Sequence, residues 1–223
     1  MTKWDRIAAS SGILAVVLMA VGFSTTGANP SWSDSGTTIA HDYASNREAG
    51  LTSVIIVGVG LMALIWFAAT LGSLLRANGE DRLGLVVVAG ATAFVSIFAI
   101  AGVVQWTLFY GSAGGDPLLT KALFQMQSLA ASLAFLPLAL TVFAFAVATA
   151  RSKILPVWSV AISGLAALII VIGVGTVAQS GFFSPNGGYI FVALLALVVW
   201  VVVTSTLLMR GQGARREVAS ATA

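Results

Sequence analysis

The sequence predicts an all-α membrane bundle in which six helices cross the bilayer. The chain of 223 residues is 58% hydrophobic and only 9% charged, whereas soluble domains carry about 25% charged residues. It contains six apolar runs, each long enough to cross a hydrocarbon core of roughly 30 Å. Lysines and arginines cluster at alternate ends of these runs, which is typical of multi-span proteins.

The six runs are defined by continuous apolar composition. We expect helices, because membrane-spanning strands alternate apolar and polar residues and these runs are apolar on all sides. Apart from Lys121, near the start of the fourth, the runs contain no Asp, Glu, Lys, Arg or His. They cover residues 7–23, 51–75, 84–110, 118–149, 157–178 and 189–209.

The basic residues predict the orientation. If every run crosses, only Arg47 and Lys121 lie on one side, and nine other basic residues lie on the opposite side: Lys3, Arg6, Arg76, Arg82, Arg151, Lys153, Arg210, Arg215 and Arg216. Cytoplasmic loops carry the excess of Lys and Arg, so we expect both termini in the cytoplasm. As an alternative, the first run could be a signal peptide cleaved near Ala28, which would leave five spans and an external N-terminus.

Residues 1–210 are therefore expected to form a single six-span domain, with an extracytoplasmic loop over 24–50 and a disordered cytoplasmic tail over 211–223. The first half of the loop is rich in turn formers, and a short helix is expected within 37–49. Trp106, Phe109 and Tyr110 end the third run, where we expect them to anchor it at the interface.

Groups for catalysis are scarce. The chain has no cysteine, one histidine (His41), and none of the zinc-protease, Walker or dinucleotide-binding motifs. We therefore expect no enzyme activity, no cofactor, no metal site and no nucleic-acid partner. His41 stands beside Asp42, but a single histidine with scattered carboxylates has no recognised metal spacing, and we interpret it as a solvated loop residue.

Four glutamines lie near the predicted outer ends of the runs, and His41 and Asp42 belong to the loop that could cover them. Two interpretations stay open: they line a water-filled vestibule for a small solute, or they hydrogen-bond between helices and hold the bundle together. The second is favoured, because polar side chains commonly join helices in this way. The four are Gln105, Gln125, Gln127 and Gln179.

Pro137 lies in the middle of the fourth run, where it removes a backbone hydrogen bond and frees the carbonyl of Leu133. We expect a kink that could act as a hinge, with Ser128, Ser132 or Thr141 compensating locally. Small residues four positions apart also predict close helix packing. These pairs are Ala8 and Gly12, Ala68 and Gly72, Ala89 and Ala93, and Ser128 and Ser132.

The layout resembles a known family. A short Lys/Arg-bearing N-terminus, six spans, a first outer loop containing Trp, Asp and Ser, and an Arg-rich tail resemble the multi-span bacterial proteins grouped as the DUF4386 family. The Ala, Val and Gly richness is similar to that of actinobacterial-type proteins. The resemblance implies a protein of a bacterial cell membrane. It carries no functional residues, because the activity of that family is itself unknown.

The expected function follows from these absences. We expect a structural or accessory membrane protein that interacts with membrane lipids, with a partner membrane protein or with its own copies. The alternative is a transporter or channel for a small neutral or weakly charged solute, using the glutamine vestibule and a hinge at Pro137. An enzyme ranks last, since acid–base or metal chemistry needs groups that the chain hardly has.

Overall fold

A computed structural model describes residues 3–28, 30–111, 115–174, 180–185 and 187–221, with side chains described between 7 and 210. Over these ranges the chain forms seven helices and no strand. All except α2 contain a segment long and apolar enough to cross a membrane, which confirms the predicted all-α bundle with six candidate spans. The helices are α1 (Lys3–Thr25), α2 (Gly36–Ser45), α3 (Arg47–Ala77), α4 (Asp81–Gly111), α5 (Pro117–Ser152), α6 (Val157–Val174) and α7 (Gly188–Ala221).

The ends of α1, α3, α4, α5 and α7 lie outside the apolar runs, whereas α6 is described only from Val157 to Val174, within the fifth run. Local residues start or stop several of these helices. At the start of α5, the side chain of Asp116 accepts a hydrogen bond from the backbone N–H of Leu118 at 2.9 Å, and Pro117 takes a first-turn position. At its end, Lys153 adopts a left-handed conformation with φ 53°. Gly79, with φ +85°, turns the chain between α3 and α4.

The helices form a closed ring. Helix α1 packs against α3 and α7, and the remaining neighbours follow in chain order, α3 on α4, α4 on α5, α5 on α6 and α6 on α7. Gly12 of α1 lies against Ser205 of α7, so the first and last spans run antiparallel and both termini lie at one face of the bundle. Helix α5 is the most buried span, with 61% of its most apolar window buried and at most 39% in the others.

An ion pair joins the end of α5 to the turn between α3 and α4, at the face that carries the termini. Arg151, at the end of α5, lies with its Nε 2.9 Å from Oε1 of Glu80, in the turn between α3 and α4. Arg151 is largely exposed, so the pair contributes little to stability in water. The contact nevertheless shows that α3 and α5 end at the same face.

Close approach of helix backbones depends on a few small residues. A methyl group on Gly72 would lie 2.9 Å from the carbonyl oxygen of Gly84, across the contact of α3 with α4. A methyl group on Gly12 would lie 2.6 Å from Oγ of Ser205 and 2.8 Å from the ring of Phe67. Two of the predicted small-residue pairs therefore contribute to helix contacts, through Gly12 and Gly72.

The half of the ring nearest the termini is filled by aromatic side chains. The indole of Trp200 lies edge-on to the rings of Phe67 and Phe145, at centroid distances of 6.0 and 5.7 Å. Its N–H donates to Oγ of Ser163 at 3.1 Å. Each of these residues is almost fully buried, so this half of the bundle is a solid core.

The hydroxyls around Pro137 bond to backbone carbonyls of the same helix. Thr141 donates its hydroxyl to the carbonyl of Pro137 at 2.9 Å, and Ser132 donates to the carbonyl of Ser128. Ser128 in turn donates to the carbonyl of Phe124. The compensation of the Leu133 carbonyl and the hinge at Pro137 stay predictions.

The C-terminal end of α7 also differs. The backbone is helical through Ala221, so the stretch 211–221, predicted to be a disordered tail, continues α7 beyond its apolar segment, Gly188–Arg210. Ala, Arg and Glu in this stretch are good helix formers, and they follow directly on a formed span that removes the cost of nucleation.

The contact of α4 with α5 generates a first prediction. A methyl group on Gly90 would lie 2.5 Å from Oγ1 of Thr141 and 2.8 Å from the carbonyl oxygen of Pro137. We expect Gly90→Ala to destabilise the protein by about 1–3 kcal/mol, because two helix backbones must move apart. Thermal unfolding in detergent measures the change.

The matched control is Gly164→Ala on α6, where the added methyl group meets nothing within 4 Å. It should leave the melting temperature unchanged or raise it slightly, because alanine favours a helix over glycine. Equal melting temperatures for the two variants would show that α4 and α5 are not in close contact at Gly90.

Candidate functional site

Helix α2 covers one end of the ring, opposite the face that carries the termini. Its N-cap, Ser35, accepts a hydrogen bond from the backbone N–H of Thr38 at 3.1 Å. Ile39 and Tyr43, one turn apart, are its buried residues. They pack against Leu108, Phe109 and Phe124 of α4 and α5 in a small apolar cluster. The predicted short helix in the loop is confirmed, and one of its faces docks on the spans.

Tyr43 is the centre of this docking contact. Its ring lies 4.7 Å from that of Phe109 and 6.5 Å from that of Phe124, edge-on in both cases. Its hydroxyl donates to Oε1 of Gln127 at 3.1 Å. Burial, and secondarily the charge of Asp42, raise the pKa of Tyr43 well above its usual value. The phenol therefore stays neutral and keeps its proton for Gln127.

A cavity of about 740 Å³ lies beneath α2, inside the ring. Its volume falls in the range of small-molecule sites, roughly 300–1,000 Å³. Helices α1, α3, α4, α5 and α7 line it, and most of the lining is aliphatic or aromatic. The aromatic residues of the lining, apart from Tyr43, are Phe23, Phe98, Trp106, Phe124, Phe135 and Phe191.

The cavity reaches about halfway through the bundle. Along α3 its lining runs from Ser53 to Met62, a rise of about 14 Å at 1.5 Å per residue. This is close to half of the roughly 30 Å hydrocarbon core. Phe135 belongs to the floor and packs on Phe94, with 6.4 Å between ring centroids. Below that level the aromatic core around Trp200 fills the ring. The length of the cavity is therefore close to the depth of one leaflet.

The cavity also opens sideways. On α3 and α4 its lining includes Leu61 and Ala101, which are buried, and Met62 and Val103, which are 72% and 63% exposed. The cavity is partly open, and this mixture of buried and exposed lining residues indicates that it opens between the two helices. In a membrane-spanning bundle the outer faces meet lipid, so the passage connects the cavity to the bilayer.

A second passage lies between α1 and α7. Val16 and Leu197 are buried parts of the lining, while Ala20 and Leu195 of the same two helices are exposed. The two helices are close at Gly12 and Ser205, near the termini. Toward α2, residues of both helices line the cavity, which indicates a second opening between them.

The structure brings together only part of the predicted glutamine group. Gln105 and Gln127 line the cavity, whereas Gln125 does not. Side chains two residues apart on a helix point in directions about 200° apart around the helix axis, so Gln125 and Gln127 cannot face the same space. Gln179 lies outside the described residues. His41 is exposed on α2 and Asp42 is half-buried, and neither belongs to the lining.

Several residues in or beside the cavity lining were not anticipated from the sequence. Phe109, expected at the lipid interface, is 1% exposed and supports Tyr43 instead. Thr26 lines the cavity, and its hydroxyl is buried without a hydrogen-bond partner among the described residues. Ser53 donates to the carbonyl of Gly22 at 2.7 Å and ties α3 to α1 beside the cavity. Only the Ile39–Tyr43 spacing within α2 could have indicated a docking face.

Comparison with known proteins leaves the chain without an assigned relative. No family model, no curated protein and no solved structure matches it. The resemblance to the DUF4386 family therefore stays a prediction from the layout of the sequence. Among the described residues, no group of three or more His, Asp or Glu side chains is placed to hold a metal ion.

The docking of α2 gives a second prediction. Tyr43→Phe removes the hydrogen bond to Gln127 and should destabilise the protein by about 0.5–1.5 kcal/mol. Tyr43→Ala also empties the ring's place between Phe109 and Phe124, and should cost about 3–5 kcal/mol. Thermal unfolding measures both changes. Amide hydrogen exchange should become faster in α2 than in the wild-type protein, and the increase should be smaller in the spans.

Tyr110→Phe serves as the control, because Tyr110 is exposed and its ring contact with Arg47 does not need the hydroxyl. If Tyr43→Ala left exchange in α2 no faster than in the Tyr110→Phe control, α2 would not depend on Tyr43 for its docking.

Proposed function

We propose that the protein is an accessory membrane protein that binds lipid, holding one amphiphilic molecule in the cavity beneath α2. The observation that supports this most directly is the sideways opening of an apolar cavity one leaflet deep. A molecule already in the bilayer would enter between α3 and α4 or between α1 and α7, with its apolar chain toward Phe135 and its polar end near Tyr43.

A solute transporter is less well supported by the geometry. A water-filled vestibule needs polar walls, but of the three predicted glutamines that the structure describes only Gln105 and Gln127 line the cavity, and most of their neighbours are apolar. Transport also needs a path to the other face. The floor at Phe135 and the aromatic core around Trp200 fill that path in this structure.

We propose a binding role without catalysis. General acid–base chemistry needs a group that gains or loses a proton near the working pH. The described lining contains no Asp, Glu, His, Lys or Arg. Tyr43 is the titratable group that it does contain, and burial moves its pKa further from neutrality.

We further propose that the protein lies in a bacterial cell membrane with both termini cytoplasmic and α2 outside. Support comes from the excess of Lys and Arg on the side of the termini, which marks cytoplasmic loops. With this orientation the cavity lies in the outer leaflet.

Blocking the cavity tests the binding role. Gly58 belongs to the lining, and a side chain added there meets nothing within 4 Å. We expect Gly58→Phe to fill the cavity and to remove most of the bound amphiphile while the protein stays folded. Gly164→Phe on α6 is the matched control, since that glycine also has open space but lies outside the lining.

The measurement uses three photo-crosslinking probes in lipid nanodiscs. All carry the same octadecyl chain with a terminal diazirine, and their polar ends are uncharged, anionic or cationic. At least one probe should label peptides of α3, α4 or α7 in the wild type and in Gly164→Phe, and label them much less in Gly58→Phe. Equal labelling of the two variants by every probe would exclude the cavity as the binding site.

The orientation is tested by cysteine labelling, for which the cysteine-free chain gives no background. Ser33→Cys places a thiol in the exposed loop before α2, and Ala77→Cys places one at the opposite face. In intact cells a membrane-impermeant maleimide should modify only Ser33→Cys, and Ala77→Cys should react after permeabilisation. The reverse pattern would invert the proposed orientation.

A further inference from the structure

We infer that the amphiphile in the cavity has an uncharged polar end that both donates and accepts hydrogen bonds, such as the hydroxyl groups of a long-chain alcohol or a monoacylglycerol. The inference rests on the proposed lipid-binding function and narrows it to a ligand class. It follows from which polar groups the cavity contains, where they stand, and where the nearest charges are.

The polar groups of the described lining are all neutral. They gather toward the α2 end of the cavity, whereas the floor at Leu61, Phe135 and Leu197 is apolar. A charged group drawn to this depth without a partner of opposite charge would lose its hydration uncompensated. The neutral polar residues are Thr26, Tyr43, Ser53, Gln105 and Gln127.

Two of these residues have hydrogen-bonding capacity to spare. The bond from Tyr43 uses the amide oxygen of Gln127, which leaves the amide N–H groups for a ligand. None of the hydrogen bonds among the described residues involves the side chain of Gln105, so its amide has both donors and an acceptor free. The hydroxyl of Thr26 has almost no accessible surface and does not face the cavity. The two amides together offer donors and acceptors, which suit a hydroxyl group because it needs both.

The charged residues nearest in sequence to Tyr43 and Ser53 lie outside the cavity. The guanidinium of Arg47 lies 5.0 Å from the ring centroid of Tyr110, on an exposed part of α3. His41 and Glu48 are exposed, and Asp42 is half-buried on α2 beside Tyr43. None of the four lines the cavity. An ionised headgroup would therefore find its counter-charges outside the cavity, at the surface of α2 and the start of α3.

The three octadecyl probes distinguish the ligand classes in the full-length protein. The uncharged probe is octadecanol, the anionic one octadecyl sulfate and the cationic one octadecyltrimethylammonium, each with the terminal diazirine. Unlabelled octadecanol, at a fixed mole fraction in the nanodisc, should compete for labelling at least about tenfold better than either charged amphiphile, because burying an unpaired charge at membrane depth is costly.

Two glutamine variants test which residues hold the polar end. Gln127→Leu should weaken competition by octadecanol by about three- to tenfold, the effect of losing one hydrogen bond. Gln125→Leu, on the same helix but outside the lining, should leave it unchanged. Because Gln127→Leu also removes the partner of Tyr43, Gln105→Leu is measured beside it and should weaken competition without loosening α2.

The outcomes separate this inference from the function on which it rests. If no probe labels the cavity peptides, the lipid-binding function itself fails. If labelling occurs and is blocked by Gly58→Phe, but a charged amphiphile competes as well as octadecanol, the function stands and the uncharged ligand class is wrong. Equal effects of Gln125→Leu and Gln105→Leu would likewise overturn the assigned polar end.

Discussion

The interior of the six-helix ring is filled at one end and open at the other, and the rest of the structure depends on this difference. Near the termini, Phe67, Phe145 and Trp200 occupy the centre, and the small residues Gly12 and Gly72 let the helices close around them. Toward α2 the same ring surrounds the cavity. The side chains of the spans do not fill that space, and α2 lies over it.

Helix α2 is held on the spans by few contacts. Gly50 has no side chain, and the ring of Phe109 occupies the place that one would take. This brings Phe109 under Tyr43, whose hydroxyl then reaches Gln127 on a different span. Aromatic area provides most of the stabilisation, and the single hydrogen bond sets how α2 is oriented on the spans. The same glutamine thus belongs both to the cover and to the wall of the cavity.

Much of the fold could be predicted from the sequence, because within a bilayer a helix satisfies every backbone polar group internally and its length is set by the hydrocarbon core. The six spans follow from that. Gly90 of α4, which lies against Pro137 and Thr141 of α5, was not predicted. It is one of 23 glycines, and no small residue stands four positions away from it in the sequence.

The candidate site was predicted less well, for a physical reason. A span that is apolar on all sides has no polar face, so its sequence does not show how it is rotated about its axis. Gln125 and Gln127 were therefore equivalent in sequence, although only Gln127 faces the cavity. Thr26 and Tyr43 were missed because their roles arise where the loop folds back on the spans, and no periodicity extends across that junction.

An apolar cavity beside lipid also constrains what can give it selectivity. Moving an acyl chain from the bilayer into a space lined by Met, Phe and Leu removes no apolar surface from water, so the hydrophobic effect contributes little to binding. Any preference must come from shape and from the polar end. The neutral amides of Gln105 and Gln127 are then the groups able to distinguish one amphiphile from its neighbours, and the surrounding apolar wall strengthens each hydrogen bond that they make.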